Sequence, residues 1–182
     1  MNFLFRLFIR DRNNTEDLKV RENYGKLASV AGIVTNLVLF AIKIATGIIF
    51  NSISITADAI NNLSDSGSSL VTLFGFKISG KPADAKHPYG HARMEYISAL
   101  IVSFIIMFLG VQLVQSSVGK ILNPEAAQFS VVSIVILAAS ILIKLWQSLF
   151  YRKVGKIINS TALIAASADS RNDILATSAV LV

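Results

Sequence analysis

Five long apolar stretches set the strongest limit on how this chain can fold. Each is close to the roughly 20 residues that a helix needs to cross a bilayer. They cover about residues 27–50, 53–78, 96–118, 129–150 and 162–182. Backbone groups in hydrocarbon must be satisfied within the chain, and segments of this length achieve this as helices. We predict an all-α fold: a polytopic transmembrane helix bundle formed by residues 25–182, after a cytoplasmic N-terminal arm formed by residues 1–24.

The composition agrees with an integral membrane protein. The chain is 53% hydrophobic and only 15% charged, whereas soluble domains are about 25% charged. Its net charge is +6, and in a membrane protein such an excess usually reflects basic cytoplasmic loops and contact with anionic lipid. The sequence contains no nucleic-acid-binding motif. We therefore expect a lipid bilayer and no nucleic acid among the partners. The absence of cysteine excludes disulfides and thiolate metal ligands.

Basic residues predict the orientation of the bundle. They precede the first span and flank the second and fourth loops, whereas the alternate loops hold almost none. The three clusters comprise Arg6, Arg10, Arg12, Lys19, Arg21 and Lys26; Lys77, Lys81, Lys86 and Arg93; and Arg152, Lys153 and Lys156. Because basic loops remain on the cytoplasmic side, we expect a cytoplasmic N-terminus. The expected location is the cell (plasma) membrane.

Acidic residues interrupt the second and fifth spans in the same pattern. Asn61 and Asp65 stand four residues apart, and so do Asp169 and Asp173. That spacing is about one helical turn, so each pair shares a helix face. Carboxylates at membrane depth are costly and mark ion pathways or proton relays. Facing pairs would form a four-oxygen cage for a divalent cation. Two alternatives are polar contacts between helices and a structural ion pair with Arg171.

The ligand types favour hard cations. Carboxylate, amide and carbonyl oxygens suit Mn²⁺, Fe²⁺ or Mg²⁺ better than Zn²⁺, and neither turn contains an imidazole or thiolate. Geometry and metal availability also decide selectivity, so Zn²⁺ remains an alternative to these cations. The remaining charges in the spans are Asp58, Lys43 and Lys144. We expect Asp58 to be solvated, to cap a helix or to join the ligands. The two lysines are expected to snorkel or be paired, with a role in transport as the alternative.

A polar loop between the second and third spans contains a second group of metal-ligating residues. His87 and His91 are four residues apart, and Asp84 precedes them by three. Pro88 and Gly90 argue against a regular helix there, so spacing alone does not place both imidazoles on one face. A second metal site and a simple hydrogen-bonded loop are both compatible with this pattern.

Taken together, these motifs resemble the cation diffusion facilitator family of divalent-metal transporters, from about Asn23 onward. The shared segments are Ala57-Asp58-Ala59, Asp65 to Leu70, His87-Pro-Tyr-Gly-His91 with Ala92 to Glu95, Val154-Gly155 with Asn159-Ser160, and Asp169 to Asp173. The resemblance implies six transmembrane helices, a cytoplasmic C-terminal metal-sensing domain and a homodimer that exchanges a divalent cation for protons.

The resemblance also assigns roles to residues. It implies a transport site formed by Asn61, Asp65, Asp169 and Asp173, and a cytoplasmic loop site formed by Asp84, His87 and His91. Zinc-carrying members place His or Asp at the first position of each four-spaced pair. In this chain the two first positions are Asn61 and Asp169. This combination resembles the manganese-carrying branch. No cofactor is implied beyond the transported cation.

The expected function is that of a secondary active transporter, not an enzyme, which moves Mn²⁺ out of the cytoplasm in exchange for protons. The fifth span stops at Val182 without a polar flank, so we expect a fragment without the family's sixth helix and C-terminal domain. Alternatives are a Zn²⁺ or Fe²⁺ transporter, a non-transporting metal-binding fragment and a passive channel. An intramembrane aspartyl protease also uses two buried aspartates, but its Tyr-Asp and Gly-x-Gly-Asp contexts are missing.

Overall fold

Five α-helices account for nearly all of the residues that the structure, a computed structural model, describes. The described ranges are 17–50, 52–122 and 131–181. The helices are α1 (Leu18–Ile49), α2 (Ile53–Ser79), α3 (Met94–Leu122), α4 (Val131–Ile157) and α5 (Thr161–Leu181). Each overlaps one predicted span, and no strand occurs within the described ranges. The predicted all-α helix bundle is confirmed.

The first helix begins earlier than the first apolar stretch. Asp17 caps α1 by accepting a hydrogen bond from the Lys19 amide at 2.7 Å, so residues 18–24, predicted to belong to the arm, are helical. Val20 and Tyr24 are buried in the core of the bundle, and this packing stabilises a helical extension that hydropathy does not show. Residues 1–16 lie outside the described ranges, so the rest of the arm remains a prediction.

The surface of the bundle suits lipid more than water. Among the described residues, three helical segments are long and apolar enough to cross a membrane: Leu18–Ile49, Met94–Gln112 and Ile134–Ile157. Large apolar side chains such as Phe74, Phe104 and Leu142 are exposed on the outside. Such contiguous apolar exposure is uncommon on soluble monomers. α2 and α5 do not have an equally apolar window because aspartates, asparagines and serines lower their mean hydropathy.

The two aspartate-bearing helices are held by different neighbours. α1 packs along α2, α4 packs along α5, and α3 contacts both α2 and α5. One apolar cluster joins α1, α2, α4 and α5 at one end of the bundle. Its buried members are Val20, Tyr24, Ala28, Phe76, Phe150, Tyr151, Val154, Ile158 and Leu163. This arrangement brings α2 and α5 together beside α4.

A reciprocal pair of hydrogen bonds sets the alignment of α4 and α5. The Ser148 hydroxyl donates to the Ser167 carbonyl at 2.9 Å, and the Ser167 hydroxyl donates to the Ser148 carbonyl at 3.0 Å. Both serines are buried. The tight connection between the helices includes Asn159 at φ 49°, a left-handed conformation that asparagine tolerates better than most residues. The serine clamp, Ser148 with Ser167, therefore fixes which residues of α4 face the aspartates of α5.

An ionic contact joins three helix ends at the same end of the bundle. Arg21 in α1 pairs with Glu95 in the first turn of α3 at 2.8 Å. The same guanidinium donates a hydrogen bond to the carbonyl of Ile158, just after α4. Because Glu95 is buried, this contact holds α3 close to α1 and to the connection between α4 and α5.

Candidate metal-binding sites

α2 presents a buried polar face on which most side chains satisfy their hydrogen bonds locally. Ser66 donates to the carbonyl of Asn62 at 3.2 Å, and Thr72 donates to the carbonyl of Ser68 at 3.0 Å. Asn62 likewise donates to the carbonyl of Asp58 at 3.0 Å. Hydroxyl and amide groups can bond to the preceding turn of their own helix, but a carboxylate only accepts. Asp65 therefore needs a cation or a donor from another helix.

Three carboxylates from α2 and α5 meet inside the bundle. Asp65, Asp169 and Asp173 each offer an oxygen, and these oxygens all lie within 4.8 Å of one another. Asp65 is buried, with 4% of its surface exposed, and the other two are partly buried. The four-residue spacing on α5 thus places both of its aspartates on the face that meets α2. We call these three residues the carboxylate cluster.

Lys144 from α4 bridges two members of the carboxylate cluster. Its Nζ atom lies 2.6 Å from Asp65 Oδ2 and 2.6 Å from Asp173 Oδ2. The ammonium group donates a hydrogen bond to each, and only 4% of Lys144 is exposed. Of the two expectations for Lys144, pairing or snorkelling, the structure shows pairing. Sequence reasoning missed its place beside the aspartates.

A signal for Lys144 was present in the sequence. It lies eight residues before Arg152, the first residue of the predicted cytoplasmic basic cluster, which is about 12 Å of helix at 1.5 Å per residue. A lysine stem covers only part of that distance, so snorkelling would leave the charge inside the span. A charged group so placed must find its partner inside the bundle, and the aspartates of α2 and α5 are the acids within the predicted core.

Asn61 reaches the carboxylate cluster through its amide nitrogen. Asn61 Nδ2 donates a hydrogen bond to Asp173 Oδ1 at 3.1 Å. The predicted cage used the Asn61 oxygen as a ligand, which requires the amide to rotate about its last bond. The structure therefore brings all four predicted residues together, with three carboxylates at the centre and the Asn61 amide beside them.

The cluster keeps capacity to bind a cation. Asp65 Oδ1 is buried and has no hydrogen-bond partner among the described residues. An unsatisfied buried carboxylate oxygen is costly, and a cation is a natural partner for it. Arg171, the predicted neutralising residue, is exposed and forms no ion pair within the described part of the chain. The positive charge that partly compensates the aspartates comes from Lys144 of α4.

A second ion pair joins α1 and α2 away from the carboxylate cluster. Lys43 Nζ lies 2.7 Å from Asp58 Oδ2. The Lys43 side chain is 2% exposed and that of Asp58 is 27% exposed. Asp58 thus has a partner on α1, and it lies outside the group of three carboxylates that could share a metal ion.

Replacing Asp58 with asparagine is expected to destabilise the bundle. The change leaves the Lys43 ammonium group buried without a countercharge, which costs about 3 kcal/mol or less because Asp58 is partly exposed. Unfolding in a denaturing detergent series measures the effect. The double variant Lys43→Met with Asp58→Asn is expected to recover most of the loss. An Asp58→Asn variant as stable as the unaltered protein would contradict a stabilising role for this pair.

The polar loop brings together the three residues of the second predicted site. Asp84, His87 and His91 offer ligand atoms that all lie within 4.8 Å of one another. Asp84 Oδ1 is 3.2 Å from His87 Nδ1, and Asp84 Oδ2 is 3.6 Å from His91 Nε2. No regular helix forms between residues 81 and 93, as Pro88 and Gly90 predicted. A turn places the two imidazole centroids 4.5 Å apart.

Backbone donors hold the Asp84 carboxylate in its ionised form. Asp84 Oδ1 accepts hydrogen bonds from the amides of His87 at 2.7 Å and Lys86 at 2.9 Å. The His87 amide, followed by the His87 side chain and the Lys86 amide, lowers the pKa of Asp84 and outweighs a smaller opposing effect of desolvation. The loop thus keeps a negative oxygen pair between its histidines.

The lowered pKa of Asp84 predicts how the loop responds to acid. The stabilising hydrogen bonds are fully present above the ordinary aspartate pKa of about 3.9. They are lost only as the pH falls through the lower value of the folded protein. The carboxyl ¹³C shift of Asp84, assigned with an Asp84→Asn variant, measures this midpoint by NMR. A midpoint at or above 3.9 would show that the turn does not favour the carboxylate.

Comparison with known proteins identifies the family. A family model described as the cation efflux transmembrane domain matches residues 29–182. The manganese efflux system protein MneS of Bacillus subtilis is 36% identical over 149 residues, which cover 82% of this chain and 51% of MneS. The manganese efflux system protein MneP of the same organism is 31% identical, with 89% of this chain and 54% of MneP covered.

A third relative is named for cation efflux in general and not for manganese. The cation-efflux pump FieF of Cronobacter sakazakii is 30% identical, with 90% of this chain and 55% of FieF covered. The chain spans about half the length of these curated relatives. Members of the matched family are transporters, which argues against the intramembrane protease. The predicted resemblance is therefore confirmed: the chain belongs to the cation efflux family of transmembrane transporters.

Proposed function

We propose that this protein transports a divalent metal cation, with Mn²⁺ as the favoured cargo, out of the cytoplasm in exchange for protons. The observation that carries the proposal is the carboxylate cluster, three oxygens from two helices within 4.8 Å of one another inside an apolar bundle. Asp65, Asp169 and Asp173 would bind the cation, with the Asn61 amide turned to add its oxygen. The cation is the substrate of the proposed transport, and we propose no further cofactor.

The donor set supports manganese among the divalent cations. Its groups are carboxylates and one amide, and oxygen ligands suit Mn²⁺ better than thiolate- or imidazole-preferring metals. The names of MneS and MneP assign manganese efflux to those two proteins, which adds support by similarity. Zn²⁺ and Fe²⁺ are the competing cargoes. The name of FieF, a cation-efflux pump, specifies no metal, so these cargoes remain alternatives to Mn²⁺.

Proton exchange follows from the chemistry of the ligands. A carboxylate must be ionised to bind a metal, so protons and metal compete for the same oxygens. We infer that the ion enters from the cytoplasm, that the helices rearrange to open the site outside, and that protonation of the aspartates then releases it. The basic loops support a cytoplasmic N-terminus. The cell membrane is the proposed location and a homodimer the proposed assembly.

The loop residues are proposed as a second, cytoplasmic metal site. Asp84 faces both His87 and His91, and mixed carboxylate and imidazole ligands suit transition metals, including zinc. The loop is exposed, whereas the carboxylate cluster is enclosed by helices. The two sites thus differ in ligand type and in access, and a metal at the loop is proposed to act on the cytoplasmic side rather than as cargo.

Uptake of Mn²⁺ and Zn²⁺ into proteoliposomes under an imposed pH gradient tests the proposed function. We expect Mn²⁺ to move, to follow the pH gradient, and to stop in an Asp173→Ala variant. Zinc flux without manganese flux would keep the family and reject the proposed cargo. Flux that ignores the pH gradient would indicate a passive channel, and no flux of either metal would favour a non-transporting metal-binding protein.

A further inference from the structure

Lys144 occupies the place between the carboxylates in which a bridging cation would lie. Its ammonium group is 2.6 Å from Asp65 on α2 and 2.6 Å from Asp173 on α5. We propose that Lys144 is a tethered competitor of the cargo: it holds the empty site together, and the divalent cation must displace it to bind. This inference rests on the proposed function and names a specificity-determining residue of the same site.

The charges of the site fit this exchange. Three ionised carboxylates and one ammonium group leave a net charge of −3 + 1 = −2 for the cluster with Lys144. A divalent cation would neutralise that charge completely while Lys144 stays nearby and charged. Without the lysine, the empty site would hold three buried negative charges, which is strongly unfavourable inside a bundle. The exchange requires movement of the ammonium group and no change in its protonation.

The packing allows the ammonium group to move while its helix stays in place. The serine clamp lies one turn from Lys144 and fixes the backbone of α4 against α5. The four-carbon stem of lysine is flexible, and its ammonium group can rotate toward new acceptors. Gln147 Oε1, on the next turn of α4, is buried and has no hydrogen-bond partner among the described residues. It is an acceptor suited to the displaced group.

A tethered competitor affects the two halves of a transport cycle differently. It weakens cargo binding because like charges repel at short range. It also lets the metal-free carrier return, because it compensates the carboxylate charge that the exchanged protons do not neutralise. Exchange of metal for metal uses only the loaded carrier, whereas net transport needs the empty carrier as well. Loss of the Lys144 charge should therefore tighten binding, preserve metal-for-metal exchange and slow net transport.

Variants at Lys144 in the purified protein test this directly. Lys144→Met removes the charge at similar length, and Lys144→Arg keeps it. We expect Lys144→Met to bind Mn²⁺ at least about tenfold more tightly by calorimetry, because removal of a positive charge next to the ion lowers repulsion even at high effective dielectric constant. In liposomes it should exchange Mn²⁺ for tracer Mn²⁺ and lose most of its net uptake. Lys144→Arg should stay closer to the unaltered protein.

The outcomes separate this proposal from a structural role. A folded Lys144→Met variant that binds Mn²⁺ more weakly, or that loses both exchange and net uptake, would overturn it. If the methionine variant folds poorly, Tm provides a second measurement. The proposal predicts that added Mn²⁺ raises the Tm of Lys144→Met, and also that of Lys144→Gln, more than it raises the Tm of the unaltered protein. Equal shifts would reject it. Because binding and Tm are read without transport, failure of the unaltered protein to carry metal would count only against the proposed function.

Discussion

Replacing Asp65 with asparagine is expected to abolish metal transport while leaving the protein folded. The change keeps the shape of the side chain and removes the α2 charge from the carboxylate cluster. Mutation of groups that merely support a metal ligand lowers affinity by about 10- to 100-fold, so loss of a ligand charge should cost at least as much. Lys144 would keep Asp173 as its second partner, which limits the structural damage.

Ser66→Ala is the matched control for this prediction. Ser66 is the next residue of α2 and is also buried, but its hydroxyl bonds to the backbone of its own helix. The control should retain transport and Mn²⁺ affinity, both measured in the same liposome and calorimetry experiments. Normal transport by Asp65→Asn would remove the carboxylate cluster from the pathway, and equal losses in both variants would indicate damage to α2 rather than to a ligand.

Replacing Gly32 with alanine is expected to destabilise the packing of α1 against α2 and α4. A Cβ atom at this position would overlap the Tyr151 hydroxyl and lie 2.8 Å from Tyr151 Cζ and 2.9 Å from Ser69 Oγ. Tyr151 also hydrogen-bonds Ser69 and Gln147, each at 3.2 Å. The added methyl group must therefore push apart α1, α2 and α4, and such overpacking costs about 1–3 kcal/mol.

Two further variants make the Gly32 prediction specific. Gly110→Ala is the control, because a Cβ there meets no atom within 4 Å and alanine favours a helix by up to about 1 kcal/mol. Tyr151→Phe combined with Gly32→Ala removes the overlapping hydroxyl and should recover part of the lost stability. Denaturing-detergent titration of the four proteins measures these differences. Equal stability of the two alanine variants would show that α1 does not pack this closely.

The sequence predicted the components of the site better than their arrangement. Four-residue spacing was enough to place Asp169 and Asp173 on one face of α5, because helix geometry is local. The partner of those aspartates depends on the rotation of α4, which the serine clamp sets through contacts between helices. Spacing along one helix contains no information about that rotation, and for this reason Lys144 was left outside the predicted site.

The same limit explains the other differences. Asp58 and Lys43 pair across α1 and α2, and neither helix alone indicates which of its faces meets the other. The start of α1 at Leu18 depends on the burial of Val20 and Tyr24 against other helices, whereas a hydropathy window responds to the charges around them. The loop turn was predictable as irregular from Pro88 and Gly90, but the Asp84 contacts were not.

The location of a bound Mn²⁺ ion tests the central claim most directly. A crystal of the protein grown with Mn²⁺, with anomalous scattering measured at the manganese edge, would show the ion without ambiguity of element. The proposed function predicts a peak coordinated by Asp65, Asp169 and Asp173, and the competitor role of Lys144 predicts that its ammonium group has moved away from them. A peak confined to Asp84, His87 and His91, with Lys144 still bridging the aspartates, would contradict it.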